Sequence, residues 1–117
     1  MSYPVKSSVT ITTATGGGAT GYSDVMTGRV IAVKYEKDTY ASTSDFTITT
    51  ADTGQSILSK TNVNASFVNY PVAAAVTTAG AASTLTEVEV PVVNERVKIV
   101  VAQGGNTKAG TFTIITA

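Results

Sequence analysis

The chain has 117 residues, with eight Lys+Arg balanced by eight Asp+Glu and no net charge. That size suits one domain, and the balance argues against the basic surface that nucleic acid or an anionic membrane requires. His, Cys and Trp are all absent, which excludes imidazole bases, thiol nucleophiles, disulfides, Cys/His zinc sites and haem ligation.

What remains is strongly β-branched, with 21 Thr, 16 Val and 7 Ile against two Leu, Leu58 and Leu85. Branching at Cβ stiffens χ1 and packs well on a pleated surface, so strands are expected throughout. The N-terminus, Met1-Ser2-Tyr3-Pro4-Val5-Lys6, lacks a basic segment followed by an apolar one, and no cleaved signal is expected. Val72 to Ala82 is too short and too interrupted by Thr77, Thr78 and Gly80 to cross a membrane.

In chain order, the first predicted strand is Val5 to Thr13, with Val9, Ile11 and Thr13 on one face and Thr10 and Thr12 on the other. Gly16 to Gly21 is too glycine-rich for regular structure and is expected to be a flexible loop, so residues 1–21 read as an extended arm plus that loop. Thr27 to Glu36 is the longest candidate, with Ile31, Val33 and Tyr35 expected inward and Val30, Ala32, Lys34 and Glu36 outward. After a polar loop from Lys37 to Ser44, Asp45 to Thr50 alternates again around Phe46 and Ile48. Asp52-Thr53-Gly54 marks a turn, with Gly54 suited to positive φ.

Ser56 to Ser59 and Ala65 to Asn69 read as short strands, and Tyr70-Pro71 favours extended backbone. Val72 to Thr77 is expected as an edge strand. Thr84 to Val90 alternates Val88 and Val90 against Glu87 and Glu89, and Pro91 marks a strand end or an edge. Glu95 to Gln103 is the strongest strand, with Val97, Ile99 and Val101 on one face; after a turn at Gly104-Gly105-Asn106, Gly110 to Thr116 returns with Phe112 and Ile114 inward. Seven or eight short antiparallel strands with turns between them predict a single all-β domain over 1–117, a β-sandwich of jelly-roll-like form. The expected core is Ile31, Val33, Phe46, Ile48, Val88, Val97, Ile99, Val101, Phe112 and Ile114.

Few constellations carry chemistry. Gly16-Gly17-Gly18-Ala19-Thr20-Gly21 matches a dinucleotide fingerprint in letters, but strand rather than helix is expected to follow, and a pyrophosphate needs the helix N-terminus. Gly105 to Thr111 lacks the Lys directly after the second Gly of a phosphate loop and lies between two strands. Glu87 and Glu89 share a strand face with Cα atoms roughly 6.8 Å apart. Paired carboxylates can serve glycoside hydrolysis, yet the same pattern opposite two Val reads as a solvated face. Asp38, Asp45 and Asp52 recur every seven residues, a spacing that gathers nothing onto one strand face; loop-borne calcium is the alternative to plain loop solvation. Five tyrosines are candidates for an interface or sugar-binding surface, against the alternative that they pack loops onto the sandwich.

Three stretches carry a resemblance. They are Gly28-Arg29-Val30-Ile31-Ala32-Val33 leading to Asp45-Phe46-Thr47-Ile48-Thr49 and Thr53-Gly54-Gln55-Ser56-Ile57-Leu58; Tyr70-Pro71-Val72; and Val97 to Gly105 closing on Gly110-Thr111-Phe112. Together they resemble the small all-β virion proteins that decorate or cement the heads of tailed bacteriophages. The resemblance implies a non-enzymatic protein of the capsid surface, made in the host cytoplasm. It would bind the major capsid protein of the assembled shell, often as a homo-oligomer with the trimer favoured, and use no cofactor, metal, nucleic acid or membrane. The candidate interface residues are Tyr3, Val5, Val9, Gly16, Gly17, Gly18, Tyr22, Tyr40 and Tyr70. The alternative is a carbohydrate- or receptor-binding β-sandwich of a tail, fibre or adhesin, using exposed Tyr with loop Asp or Asn.

Overall fold

The computed structural model describes the backbone of residues 4–76 and 82–117, and their side chains outside 72–88. Ten strands are present among the described residues and no helix: β1 (Val5–Thr12), β2 (Ala19–Tyr22), β3 (Met26–Lys37), β4 (Ser44–Thr50), β5 (Ser56–Val63), β6 (Phe67–Asn69), β7 (Val72–Val76), β8 (Ala82–Glu95), β9 (Val97–Ala102) and β10 (Ala109–Thr116).

The pairing reads as one long antiparallel ribbon folded at β4·β5. β1 pairs β10, β2 pairs β9, β3 pairs β8 and β4 pairs β5. Rolling that ribbon adds the pairs β10·β3 and β4·β9. The product is one sheet of order β1-β10-β3-β8-β7, with β6 also on β3, and a second of order β2-β9-β4-β5. Eight strands thus form two four-stranded layers wound as a jelly roll, as the alternation and turn spacing predict, and β6 and β7 are additions to the first layer.

Burial follows the strand period. In β9 and β10 every second residue is buried, and Val97, Ile99, Val101, Phe112 and Ile114 face the core with Phe46 and Ile48. An aromatic cluster forms its centre. The Tyr35 ring lies 4.7 Å from Phe46, 5.1 Å from Phe112 and 5.5 Å from Phe67, and stacks on Tyr40 at 6.0 Å. Phe46 and Phe112 meet edge to face at 4.9 Å, the arrangement that the ring quadrupole favours.

Several expectations are corrected. Ile115 faces Ala32 but Thr116 faces Val30, which leaves Ile31 as the extra residue of a bulge. Such a bulge inverts the alternation on one side of it, so Val30 is fully buried beside Val33 and Tyr35, while Ile31 is only half-buried. Residues 5–22 do not stand off as an arm. β1 pairs with β10 over all eight of its residues, and Ala19–Tyr22 is a strand on β9. The glycine loop before it is tied down by Gly17 N–H to Ala14 O (2.9 Å), Ala14 N–H to Gly18 O (3.0 Å) and Gly104 N–H to Gly17 O (2.9 Å).

Pro91 does not end its strand. Its partner Arg29 exchanges both backbone bonds with Ala117 (2.9 Å each). The Pro91 nitrogen therefore points away from β3, to the side that the β7 ladder leaves at Glu89. The predicted strand Glu95–Gln103 is divided at Arg96, where the chain passes from the first sheet to the second. Val88 of the expected core, and Glu87, lie outside the described side chains.

Candidate functional site

Antiparallel pairing brings the C-terminal ends of β2, β4, β8 and β10 together with the N-terminal ends of β1, β3, β5 and β9 at one end of the sandwich. Four of the large apolar or aromatic side chains left exposed, Val5, Tyr22, Val25 and Val93, lie on strands or links at this end. A cleft of about 400 Å³ opens there, lined by Tyr22, Val25, Ala51, Asp52, Asn94, Glu95, Arg96 and Lys98.

Its floor begins with a bulge. Met26 pairs with Glu95 and Gly28 with Val92, so β8 holds one more residue than β3 over this stretch. Asn94 takes the left-handed conformation (φ 48°), which Asn tolerates better than most residues, and its N–H is held by Thr27 Oγ1 at 2.9 Å. Val93 is thereby turned outward, 70% exposed, and Glu95 inward, 4% exposed.

A buried carboxylate must be hydrogen-bonded. That of Glu95 accepts from the backbone N–H groups of Asp52 (2.8 Å) and Thr53 (3.1 Å) and from Thr53 Oγ1 (3.1 Å). Burial pushes this carboxyl up, but the bonds from Thr53 and Asp52 outweigh it and hold it below the usual carboxylate value. Glu95 is therefore the anchor of the β4–β5 turn. That turn also closes on itself through Thr50 N–H to Gln55 O (3.0 Å) and Gly54 N–H to Thr50 O (3.1 Å), with Gly54 at φ 71°.

The crossing residue Arg96 ties together the β4 and β2 ends of the second sheet. Its carbonyl accepts from Ala51 N–H at 2.8 Å, and its Nη1 donates to Ser23 O at 3.1 Å. Ser23 continues the β2·β9 pairing, donating its N–H to Val97 O and accepting Val97 N–H on its side-chain Oγ, both at 2.9 Å. Tyr22 lies directly opposite Lys98 across that ladder, so ring and ammonium stem share a face. The cleft thus joins a 46% exposed aromatic ring, two cations, one carboxylate on the rim and one amide, on a backbone fixed by Glu95 and Ser23.

Of the candidate interface residues, only Tyr22 lines this cleft, and Asp52, of the seven-residue Asp series, lines it too. Val5 is exposed at the start of β1, and Val9 is half-buried against the core. Gly16 and Gly18 are exposed at the opposite end of the sandwich, and Gly17 between them is buried. Tyr70 is 74% exposed beyond β6. Tyr3 lies outside the described residues.

Tyr40 is a correction. It is 2% exposed, its ring stacks on Tyr35, and its hydroxyl donates to Ile11 O at 2.6 Å, so it belongs to the core and not to a surface. Asp45, of the seven-residue series, accepts from Asn62 N–H (3.0 Å) at a bulge of β5. Glu89 pairs with Arg29 at 3.2 Å across the sheet. Arg96 and Lys98 were hidden in sequence inside what reads as continuous strand, and Asn94 falls in the link between the predicted strands Thr84–Val90 and Glu95–Gln103. The one available signal was the pair Glu95-Arg96 interrupting an apolar run.

Comparison of the chain with protein-family models, with curated proteins and with solved structures finds no match.

Proposed function

We propose that the chain is a non-enzymatic structural protein of a tailed-phage virion, a head decoration or cement protein that binds the major capsid protein of the assembled shell. The resemblance of its strand-and-turn stretches to such proteins supports this, as does the jelly-roll winding, an architecture used in capsid and lectin domains.

The observation that carries the reading is the free edge of β1. Its ladder with β10 runs without a bulge over eight residues, it carries one charge, Lys6, and no backbone bond leaves its other side among the described residues. Proteins normally blunt such an edge or cover it with a partner. The edge strand β5 is blunted by Lys60 and by the Asn62 bulge, and β2 has only four residues. Strand addition at β1 gives a shell subunit, or a neighbouring copy in a trimer, a directional contact. Many copies binding the shell but not its free subunits then stabilise the particle by linkage.

The test adds purified protein to shells that lack it. Co-sedimentation with assembled shells, and genome release at a higher temperature, are the expected results. A Ser8→Lys/Thr10→Lys variant, which charges the edge, is expected to remain folded and lose both effects. Copurification with tails, or indifference to shells, overturns the reading.

A second reading, a carbohydrate-binding module, is favoured by the cleft at the β4–β5 turn, where Tyr22, Asp52 and Asn94 supply the aromatic and loop-polar groups that sugar recognition uses.

A further inference from the structure

Four charged groups line the cleft, Asp52, Glu95, Arg96 and Lys98; Glu95 is taken up by the turn amides, and none of the other three has an ion-pair partner among the described residues. They bracket a half-exposed tyrosine and the side chain of Asn94. Opposite charges that share a concave site without pairing leave donors and acceptors directed at whatever enters. We propose that this cleft binds a sugar acid, a hexuronic or nonulosonic acid residue of a surface glycan. The proposal rests on the carbohydrate-binding reading and is independent of shell binding.

Each lining group has a role in that chemistry. Ser23 O holds one nitrogen of the Arg96 fork, and the remaining N–H donors meet a carboxylate in the planar, two-point geometry that guanidinium provides. Lys98 adds a point charge on the same side. Tyr22, its cross-strand neighbour, offers a flat apolar face to the C–H side of a pyranose ring while its hydroxyl stays wet. Asp52 accepts from ring hydroxyls, and the Asn94 amide both donates and accepts.

The backbone under these groups is fixed before any ligand arrives. Two amides of the turn are bonded to the buried Glu95 carboxylate and Asn94 N–H to Thr27, so little ordering cost opposes binding. A volume of about 400 Å³ admits one or two sugar rings. A polyphosphate ligand is disfavoured, because the carboxylate of Asp52 repels a second and third negative charge, and no helix N-terminus is present among the described residues to offset it.

The test titrates the full chain with N-acetylneuraminic acid and with glucuronic acid, and separately with N-acetylglucosamine and glucose as neutral counterparts, followed by amide NMR shifts and calorimetry. At least one acid is expected to shift the amides of Ala51, Asp52 and Asn94 to Lys98, and to bind about tenfold or more tightly than its neutral counterpart, the scale of one charge-assisted two-point contact. Arg96→Gln is expected to remove that preference while leaving the β10 amides unmoved. If Arg96→Gln fails to fold, Lys98→Gln and Tyr22→Ala carry the test, each expected to weaken binding several-fold. Neutral sugars binding the cleft as well as the acids would overturn the acid assignment and leave the carbohydrate reading standing. No shift with any of the four sugars overturns both.

Discussion

Gly110 lies inside β10, where a strand ordinarily gains from a side chain, and the structure gives the reason it has none. A Cβ at this position would sit 2.5 Å from Tyr40 Cε2, 2.8 Å from Tyr40 Cδ2 and 2.9 Å from Tyr35 Cε1. Carbon atoms rest at about 3.5–4.0 Å, so both rings would have to retreat by roughly an ångström. Neither can do so independently. The Tyr40 hydroxyl is bonded to Ile11 O at 2.6 Å, and its ring is stacked on Tyr35, which is itself in contact with Phe46 and Phe112. Overpacking of this kind costs about 1–3 kcal/mol, against which relief of the glycine penalty in a strand returns about 0.5–1 kcal/mol. Gly110→Ala is therefore expected to destabilise by about 1–2 kcal/mol, lowering Tm by about 4–10 °C for a domain of this size. Gly16→Ala is the control, since no atom lies within 4 Å of its Cβ, and its stability should change by less than about 0.5 kcal/mol. Urea and thermal unfolding followed by far-UV circular dichroism measure both. A further Tyr40→Leu change in the Gly110→Ala background should recover part of the loss, a coupling of about 0.5 kcal/mol or more. If Gly110→Ala is as stable as the parent chain, the aromatic cluster is not packed as described.

The two buried tyrosines give opposite expectations. The Tyr40 hydroxyl is bonded, so Tyr40→Phe should cost about 1 kcal/mol in urea titration, whereas the Tyr35 hydroxyl is buried without a partner among the described residues, and Tyr35→Phe should be neutral or stabilising. Burial, then the charge of Asp38, pushes the Tyr35 phenol up to about 12, so its absorbance should not titrate at pH 10 in the folded chain. Glu95 has a folded pKa below its unfolded value. Its stabilising effect is therefore complete above the unfolded pKa of about 4.3 and is lost as pH falls below that. Glu95→Gln should flatten the acid limb of a stability–pH profile, and an unchanged limb would refute the anchoring role. Hydrogen exchange should find the amides of Gly17 and Gly104 protected in the isolated protein, because both are bonded at 2.9 Å; fast exchange there would restore the mobile-loop reading.

Much of the architecture was legible in the chain because burial in a sandwich repeats every two residues. Val97-Lys98-Ile99-Val100-Val101 and Phe112-Thr113-Ile114 declare their inner faces without help, and β-branching with seven or eight turn-separated strands leaves little but a two-layer β fold. The reading fails where register changes. At Ile31, Asn62 and Asn94 one strand of a pair carries an extra residue, and nothing local distinguishes a bulge from continued strand, since the irregularity is defined only against the partner strand. The bulge at Ile31 moved Val30 into the core, and the one at Asn94 turned Glu95 inward and Val93 out.

Tyr40 was misplaced for a similar reason. A tyrosine in a polar loop looks like surface, and only the gap above Gly110, opened by a strand distant in sequence, makes room for its ring. Composition and periodicity by themselves determined the class of fold, most of the core and the absence of imidazole and thiol chemistry. The cleft was decided by tertiary structure alone. Tyr22, Asp52, Asn94, Arg96 and Lys98 come from three separate stretches of chain, and they meet only because the rolled ribbon brings the ends of non-adjacent strands to one end of the sandwich.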